Sequence, residues 1–371
     1  MFNDDVLASA NYSYCLLLLP LNMISTTEII NDSHLVFVSP KKGGIYRKGK
    51  PEKFIYLDHK GNRITDENIL ERIQKLVLPP AWEKVWISPN KNGYLQAVGI
   101  DVAGRKQYRY HPDWVKRRSN EKYFKLLEFG KALPNARKQV EKDLRRRDLD
   151  ERKVLAICVK VLQQTLIRIG NSAYEKTYNS YGLSTLKDKH LKEKDKATYL
   201  CFVGKKGVKQ EVKLTDKGLT KLVKKCKDIP GQDLFRFYTN GNERKAVDSG
   251  MINQYIREIT NDYFTAKDFR TWGGTLEAMR QLAICTKENP EVAANKLVVE
   301  ALDCVAAKLG NTRAVCKSAY VYPILLEAFE NGELQRYLKR IAITEIDEKK
   351  ALRNDEAVLI QFLKAVKRKK K

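Results

Sequence analysis

A phenol, and groups able to hold a phosphate for it, lie close together in the stretch Leu309-Gly-Asn-Thr-Arg-Ala-Val-Cys-Lys-Ser-Ala-Tyr-Val-Tyr-Pro323. Tyr320 is the candidate nucleophile, an oxygen that can form a covalent ester with phosphorus. Asn311 precedes it by nine residues and offers an amide that donates to a phosphate oxygen without ionising. Three cations stand beside tight points of the chain: Arg168 before Gly170, Lys205 in the turn Gly204-Lys-Lys-Gly207, and Arg270 before Gly273-Gly274. Such a set suits attack by a phenol on a phosphodiester. That reaction builds a doubly charged, five-coordinate phosphorus and expels a 5′ alkoxide, so it needs fixed donors for the first and a proton for the second. Arg168, Arg270 and Asn311 can stabilise the charge, and Lys205, protonated when unperturbed, can act as the acid with Arg168 behind it. Each residue also has an ordinary explanation alone. Tyr320 is one of 18 tyrosines, Asn311 and Arg168 sit where helix ends need capping, and a lysine in a turn is commonly solvated.

The elements that must position these groups are legible from periodicity. Leu297, Ala301, Cys304, Val305 and Leu309 recur at three- and four-residue steps, and Gly310 ends that helix in the left-handed region. A second short helix over 313–320 carries Tyr320 two turns further on. Val154, Ile157, Cys158, Val161, Leu162 and Thr165 form one stripe of a helix over 154–166 that delivers Arg168. The runs 198–203 and 208–214 alternate in polarity and predict a hairpin with Lys205 at its tip. Residues 267–274 are expected to interrupt two amphipathic helices, with the glycine pair letting backbone approach a ligand. Helices are also expected over 121–133 and 135–147. Before them the text is strand-like, at 35–38, 54–57, 85–87, 94–100 and 105–110, with a turn at Asn92-Gly93 and one helix near 67–76. In an extended strand Tyr108 and Tyr110 share a face, with Arg105, Lys106 and Arg109 close by, a mixture suited to a nucleic-acid backbone or equally to packing on a core. The switch from period 2 to period 3.6 sets a boundary near 118. The expected fold class is α+β: a small β-rich N-terminal domain over 1–118 and a mostly helical domain with a β-hairpin over 119–371.

Composition narrows the partners. The 371 residues carry 70 Lys+Arg against 45 Asp+Glu, a net charge of +25, which a polyanion explains most simply. Nucleic acid leads and an anionic membrane surface follows. Seven cysteines (15, 158, 201, 226, 285, 304, 316) include no Cys-x-x-Cys and read as reduced residues. The four histidines, 34, 59, 111 and 190, leave none beyond 190, so a His-based metal site or Ser-His-Asp triad built within that later part of the chain is excluded. No Walker-type phosphate loop occurs. The Leu16–Leu19 run follows Asp4 and Asp5 rather than lysines and ends at Pro20, so neither export nor a membrane anchor is expected, and the expected place is cytoplasmic, with bacterial nucleoid or viral DNA. The folded pattern begins near His34, which makes Met23 a candidate start and leaves 1–33 outside it.

The ordered set Arg168, Lys205, Arg270, Asn311, Tyr320 resembles that of the type IB DNA topoisomerases, most closely the compact poxvirus-like and bacterial members. Local texts agree with it: Leu78-Pro-Pro-Ala-Trp82 with Val85-Trp-Ile87, Gly104-Arg-Lys-Gln-Tyr-Arg-Tyr110, Arg168-Ile-Gly170, Phe202-Val-Gly-Lys205 and Lys267-Asp-Phe-Arg-Thr271. The resemblance spans roughly 34–330. It implies a tyrosine recombinase/topoisomerase IB-like catalytic fold and a monomer clamping double-stranded DNA. It further implies relaxation of supercoils through a 3′-phosphotyrosyl intermediate, with no ATP, metal or other cofactor. It implies Tyr320 as nucleophile, Arg168, Lys205 and Arg270 as catalytic cations, and DNA contacts at Arg105, Gln107, Tyr108, Tyr110 and Tyr174. The poxvirus enzymes have histidine where this chain has Asn311, whereas bacterial relatives carry asparagine. Ala173 replaces a poxvirus DNA-contacting lysine, so a shared target sequence does not follow. A tyrosine recombinase or integrase would share Arg, Lys, Arg and Tyr but usually presents histidine where Lys267 stands. A non-catalytic basic DNA-binding protein would explain the charge but not Tyr320.

Overall fold

The computed structural model describes residues 34–369, apart from 52, 103, 240–242 and 344–345. The Leu16–Leu19 run, Met23 and the end of the basic tail lie outside the described residues. Two compact units divide between Lys122 and Tyr123.

The first unit contains strands β1 (Ile45–Lys48), β2 (Ile55–Leu57), β3 (Glu83–Ile87), β4 (Leu95–Ile100) and β5 (Lys106–Tyr110), joined as one antiparallel sheet in the order β2-β1-β3-β4-β5. Helix α1 (Glu67–Lys75), capped by Asp66, lays Ile73 into a small core with Ile45, Val85, Ile87 and Ala97. Strand β4 is buried almost throughout, so its one polar side chain must be satisfied internally. Gln96 Nε2 donates to the carbonyls of Lys91 at 3.0 Å and Gly93 at 2.7 Å and so closes the Asn92-Gly93 turn. The expected strand at 35–38 is absent. Val36 forms a single bridge to Gly93, and Pro40 soon afterwards opens a short helical turn and has no N–H to continue a ladder. Strand β1 was not foreseen because half of its four residues are charged. One of them, Arg47, is buried and donates to the carbonyls of Pro79 and Trp82.

The remaining elements begin with α2 (Pro112–Leu144), inside which the division between units falls, then α3 (Glu151–Thr165) and α4 (Ser172–Tyr178). A three-stranded antiparallel sheet follows, β6 (Leu191–Lys194), β7 (Ala197–Val203) and β8 (Lys209–Leu214), with β7 central. Next come α5 (Lys217–Lys227), the pair β9 (Arg236–Tyr238) and β10 (Arg244–Ala246), and α6 (Ser249–Thr260). The last six helices are α7 (Ala266–Glu288), α8 (Ala294–Leu309), α9 (Arg313–Ala319), α10 (Pro323–Glu330), α11 (Gln335–Leu338) and α12 (Glu348–Lys369). A single large core in this unit takes residues from α2, α3 and α6 to α12. Among the described residues no helix is long and apolar enough to cross a membrane.

Two helix expectations are corrected. The separate helices at 121–133 and 135–147 are one helix, with Pro134 inside it. Proline in a helix interior costs about 3 kcal/mol, but Phe129, Leu133, Ala136 and Val140 continue one buried stripe past it, and each large apolar side chain returns roughly 1.5–3 kcal/mol on burial. The break at 267–274 does not exist either, because α7 passes straight through it. Gly273 and Gly274 are not an opening for a ligand. A Cβ at Gly273 would lie 2.4 Å from Leu166 Cδ1, and one at Gly274 would lie 3.2 Å from Tyr320 Cβ. The glycines therefore let α7 run close against the two segments that carry the candidate site.

Candidate active site

Four chain segments converge on Tyr320. Helix α3 ends with Leu166 in the left-handed region (φ 53°), which turns the chain so that Arg168 projects beyond the helix. The Arg168 segment is then fastened by backbone bonds, Leu183 N to Arg168 O at 2.8 Å and Ser184 N to Ile169 O at 2.7 Å. Only glycine fits at 182, where a Cβ would sit 2.6 Å from Arg168 O and 2.5 Å from Gly170 N. Helix α8 ends, as its pattern requires, at Gly310 with φ 57°. Thr312 caps α9, and Tyr320 closes that helix as its C-terminal cap. Asn311 does not cap α9. Its Oδ1 accepts from Arg168 Nη2 instead, while Arg168 Nη1 donates to Gly310 O at 3.3 Å.

Arg270 is only 3 % exposed and joins two helix ends. Its guanidinium donates to Leu166 O at the end of α3 and, at 3.0 Å, to Leu309 O at the end of α8. The unsatisfied carbonyls and negative dipole of those termini favour a cation there. Its Nε is buried and has no hydrogen-bond partner among the described residues. The same guanidinium lies 4.8 Å from the centre of the Tyr320 ring. Burial lowers the Arg270 pKa, with Tyr320 opposing that effect. Burial by itself would push the Tyr320 phenol up. The charges of Arg270, Arg168 and Lys267 overcome it and hold the phenol below its ordinary value.

Residues that were not foreseen hold Tyr320 in place. Thr275 Oγ1 donates to Tyr320 O at 3.2 Å and accepts from Tyr322 N at 3.2 Å, so a fully buried hydroxyl bolts the backbone on both sides of Val321 to α7. Gly274 lies against the same carbonyl, and Lys267 adds charge one helical turn before Arg270. The signal was present in the helical spacing of 267, 270, 274 and 275, once the glycine pair is read as a packing groove.

Lys205 is not brought into contact with Tyr320, Arg168, Arg270 or Asn311. It stands exposed in the β7–β8 turn and makes no hydrogen bond or ion pair with any described residue. Its ammonium lies 5.9 Å over the ring of Tyr174, which is itself exposed on α4. The turn is nevertheless tied to the Arg168 segment, because Tyr181 N donates to Val203 O at 2.8 Å and Leu183 N to Arg168 O.

In the first unit, Tyr108 and Tyr110 lie on one face of β5, with rings 6.0 Å apart and 14° from parallel, and they are 48 % and 38 % exposed. Arg105 and Gln107 both turn to Asp101 Oδ2, at 2.8 Å from Arg105 Nε and 2.9 Å from Gln107 Nε2. Of this group the tyrosines are partly exposed, with the Tyr110 ring also 6.3 Å from that of Tyr94 and 6.5 Å from that of Trp114, whereas Arg105 and Gln107 hold the turn before the strand.

Residues 111–343 match the family model described as the eukaryotic DNA topoisomerase I catalytic core. Residues 53–101 match the bacterial DNA topoisomerase IB N-terminal domain. The chain is 32 % identical over 296 residues to DNA topoisomerase 1B of Acanthamoeba polyphaga mimivirus, covering 78 % of this chain and 88 % of that protein. This chain belongs to the DNA topoisomerase IB family. DNA topoisomerase 1B of Vaccinia virus is 25 % identical over 296 residues, covering 77 % of this chain and 90 % of that one. Arg168, Lys205, Arg270, Asn311 and Tyr320 all fall inside the catalytic-core match. Arg105, Gln107, Tyr108 and Tyr110 fall between the two matched regions.

Proposed function

We propose that the chain relaxes supercoiled duplex DNA by transient cleavage of one strand through a 3′-phosphotyrosyl intermediate at Tyr320, without ATP or metal. The observation that carries this reading is the buried guanidinium of Arg270 against the Tyr320 ring, with Arg168 and Asn311 converging from two other segments. Tyr320 Oη releases its proton to solvent and attacks the scissile phosphorus, and the bond from phosphorus to the 5′ oxygen breaks. Arg270 and Asn311 stabilise the negative charge on the non-bridging oxygens, and Arg168 stands behind Lys205 in delivering the proton to the 5′ oxygen. Each guanidinium has five N–H groups, so donors remain beyond those given to carbonyls. A preorganised donor of this kind is typically worth about a hundredfold or more in rate.

Lys205 is assigned the proton for the departing 5′ oxygen. Its exposed turn must then close on the phosphate when DNA binds, leaving Tyr174. The proximity of Tyr174 to Lys205 supports a DNA contact there as well. Stacked Tyr108 and Tyr110 are assigned to the duplex in the domain before the catalytic one, and the protein acts as a monomer around the DNA. The phosphotyrosine keeps the ester, so the freed strand swivels and the 5′ hydroxyl reverses the reaction with no external energy source. The site of action is wherever that DNA lies, the bacterial nucleoid or viral DNA in the cytoplasm.

Plasmid relaxation in EDTA without ATP tests the reading. A ladder of partly relaxed topoisomers is expected; supercoils left intact by active, DNA-binding protein would contradict it and favour a recombinase or a simple binder.

A further inference from the structure

Three side chains of the first unit, His34, His111 and Asp113, bring one donor atom each to within 4.8 Å of one another. None of them belongs to the candidate active site. His34 Nε2 lies 3.3 Å from Asp113 Oδ2, and His111 Nδ1 lies 3.6 Å from the same oxygen. The two imidazoles stand edge to face, 5.7 Å apart and 75° from parallel. A tetrahedral zinc ion with bonds of about 2.0–2.2 Å to nitrogen and oxygen needs its ligand atoms about 3.3–3.5 Å apart. Two edges of such a tetrahedron are therefore nearly in place.

An ordinary ion pair explains only one of those edges. The backbone N–H of Asp113 donates to His111 Nδ1 at 3.2 Å, so that nitrogen carries a lone pair and no proton. It nevertheless faces a carboxylate oxygen, a second acceptor. A proton on His34 Nε2 would satisfy Asp113 Oδ2 and leave His111 Nδ1 opposite an acceptor, whereas a metal ion satisfies all three atoms. An unprotonated nitrogen is also the form that a metal binds. The frame is ordered on both sides. Leu35, next to His34, is buried against Trp114 and Tyr94, and Val36 N donates to Asn92 O at 2.8 Å. His111 N donates to Tyr94 O at 2.9 Å, and Pro112, between the other two ligands, opens α2 with its backbone preset for the helix.

We infer that His34, His111 and Asp113 form a zinc site, with a fourth position left to water, that staples the segment at residue 34 to the start of α2. Two imidazoles and one carboxylate suit zinc, whereas magnesium and calcium prefer oxygen ligands throughout. The ion is structural. It fixes the base of the aromatic cluster in which Trp114 lies 4.9 Å from Tyr94 and 6.5 Å from Tyr110, and on which Tyr108 stacks in turn. It takes no part in breaking the phosphodiester, so relaxation in EDTA and a zinc site in the first unit are compatible.

The test strips the full chain with a chelator, removes the chelator and titrates zinc chloride by calorimetry into wild-type protein and the H34Q and D113N variants, with magnesium chloride in parallel. Zinc affinity is expected to fall in each variant by at least the ten- to hundredfold that loss of an outer-shell partner costs. Zinc should raise the melting temperature of the wild-type chain and not that of the variants. Cobalt in place of zinc should give the strong visible absorption of a tetrahedral site, lost in both variants. Any zinc held by cysteines is common to all three chains and drops out of the comparison. Equal zinc affinity in wild type and variants would overturn the inference, as would magnesium binding as tightly as zinc or a weak, octahedral cobalt spectrum. His34 is exposed, so if D113N fails to fold, H34Q is read alone against the same outcomes.

Discussion

Gly274 leaves no room for a side chain beside Tyr320: a Cβ added to Gly274 would lie 3.0 Å from the Tyr320 carbonyl oxygen and 3.2 Å from its Cβ. Thr275 holds the same carbonyl, so the backbone of Tyr320 has little freedom to yield. Gly274→Ala is expected to displace the phenol by a few tenths of an ångström and slow single-turnover cleavage at saturating DNA by roughly tenfold, with DNA affinity nearly unchanged. Misplacement near 1 Å can cost about a hundredfold, so a smaller loss fits a smaller shift. An unchanged cleavage rate would show that the contact does not position the nucleophile.

The pH dependence of cleavage follows from the charges around the phenol. Arg270, Arg168 and Lys267 hold the Tyr320 pKa down, so the phenolate forms at lower pH than in a free tyrosine. Lys267→Ala removes one of those charges, raises the phenol pKa and moves the rising limb of the rate profile to higher pH. At neutral pH the variant is slower, and the difference closes as pH approaches about 10. Single-turnover rates between about pH 6 and pH 10 check this. A limb that stays in place would mean that phenol ionisation does not govern the step.

Tyr108→Ala and Tyr110→Ala are expected to act through DNA placement. The residues are exposed, stacked side chains of the first unit, and loss of base or sugar stacking costs about 1–3 kcal/mol per contact. Apparent affinity should weaken by roughly tenfold or more, and saturating DNA should recover part of the rate. Complete loss of the chemical step at saturation would contradict the assignment.

Much of the site was legible because its frame obeys local rules. Helix α8 stops at the left-handed Gly310, α9 ends on Tyr320, and alternation over β7 and β8 places Lys205 at a hairpin tip. What was not legible depended on long-range packing. Gly273-Gly274 reads as a break, since each glycine costs a helix about 1 kcal/mol relative to alanine, yet larger residues would collide with Leu166 and Tyr320. Strand β6 escaped notice because its turn uses Asp195 and Lys196 at positive φ, with no glycine to announce it. No spacing rule foretells that Lys205 rests over Tyr174 while Arg168 reaches Asn311.

The division of labour among the cations is testable by replacing the bridging 5′ oxygen with sulfur. A thiolate leaves without a proton, its thiol pKa being about 8.5. Lys205→Ala and Arg168→Ala should regain most of their cleavage rate on that substrate, if these residues deliver the proton. Arg270→Ala and Asn311→Ala should stay slow, because charge on the non-bridging oxygens is unchanged. Equal rescue of all four variants, or of none, would defeat this assignment.

The most direct measurement of the central claim is covalent capture of the protein on a nicked duplex, followed by mapping of the DNA-linked residue. Wild-type protein is expected to yield a phosphodiester to Tyr320 at the 3′ end of the cut strand. Tyr320→Phe, lacking one oxygen, should bind the same duplex with similar affinity and form no adduct. An adduct on the Phe variant, or one mapped to another residue of the wild-type chain, would contradict it.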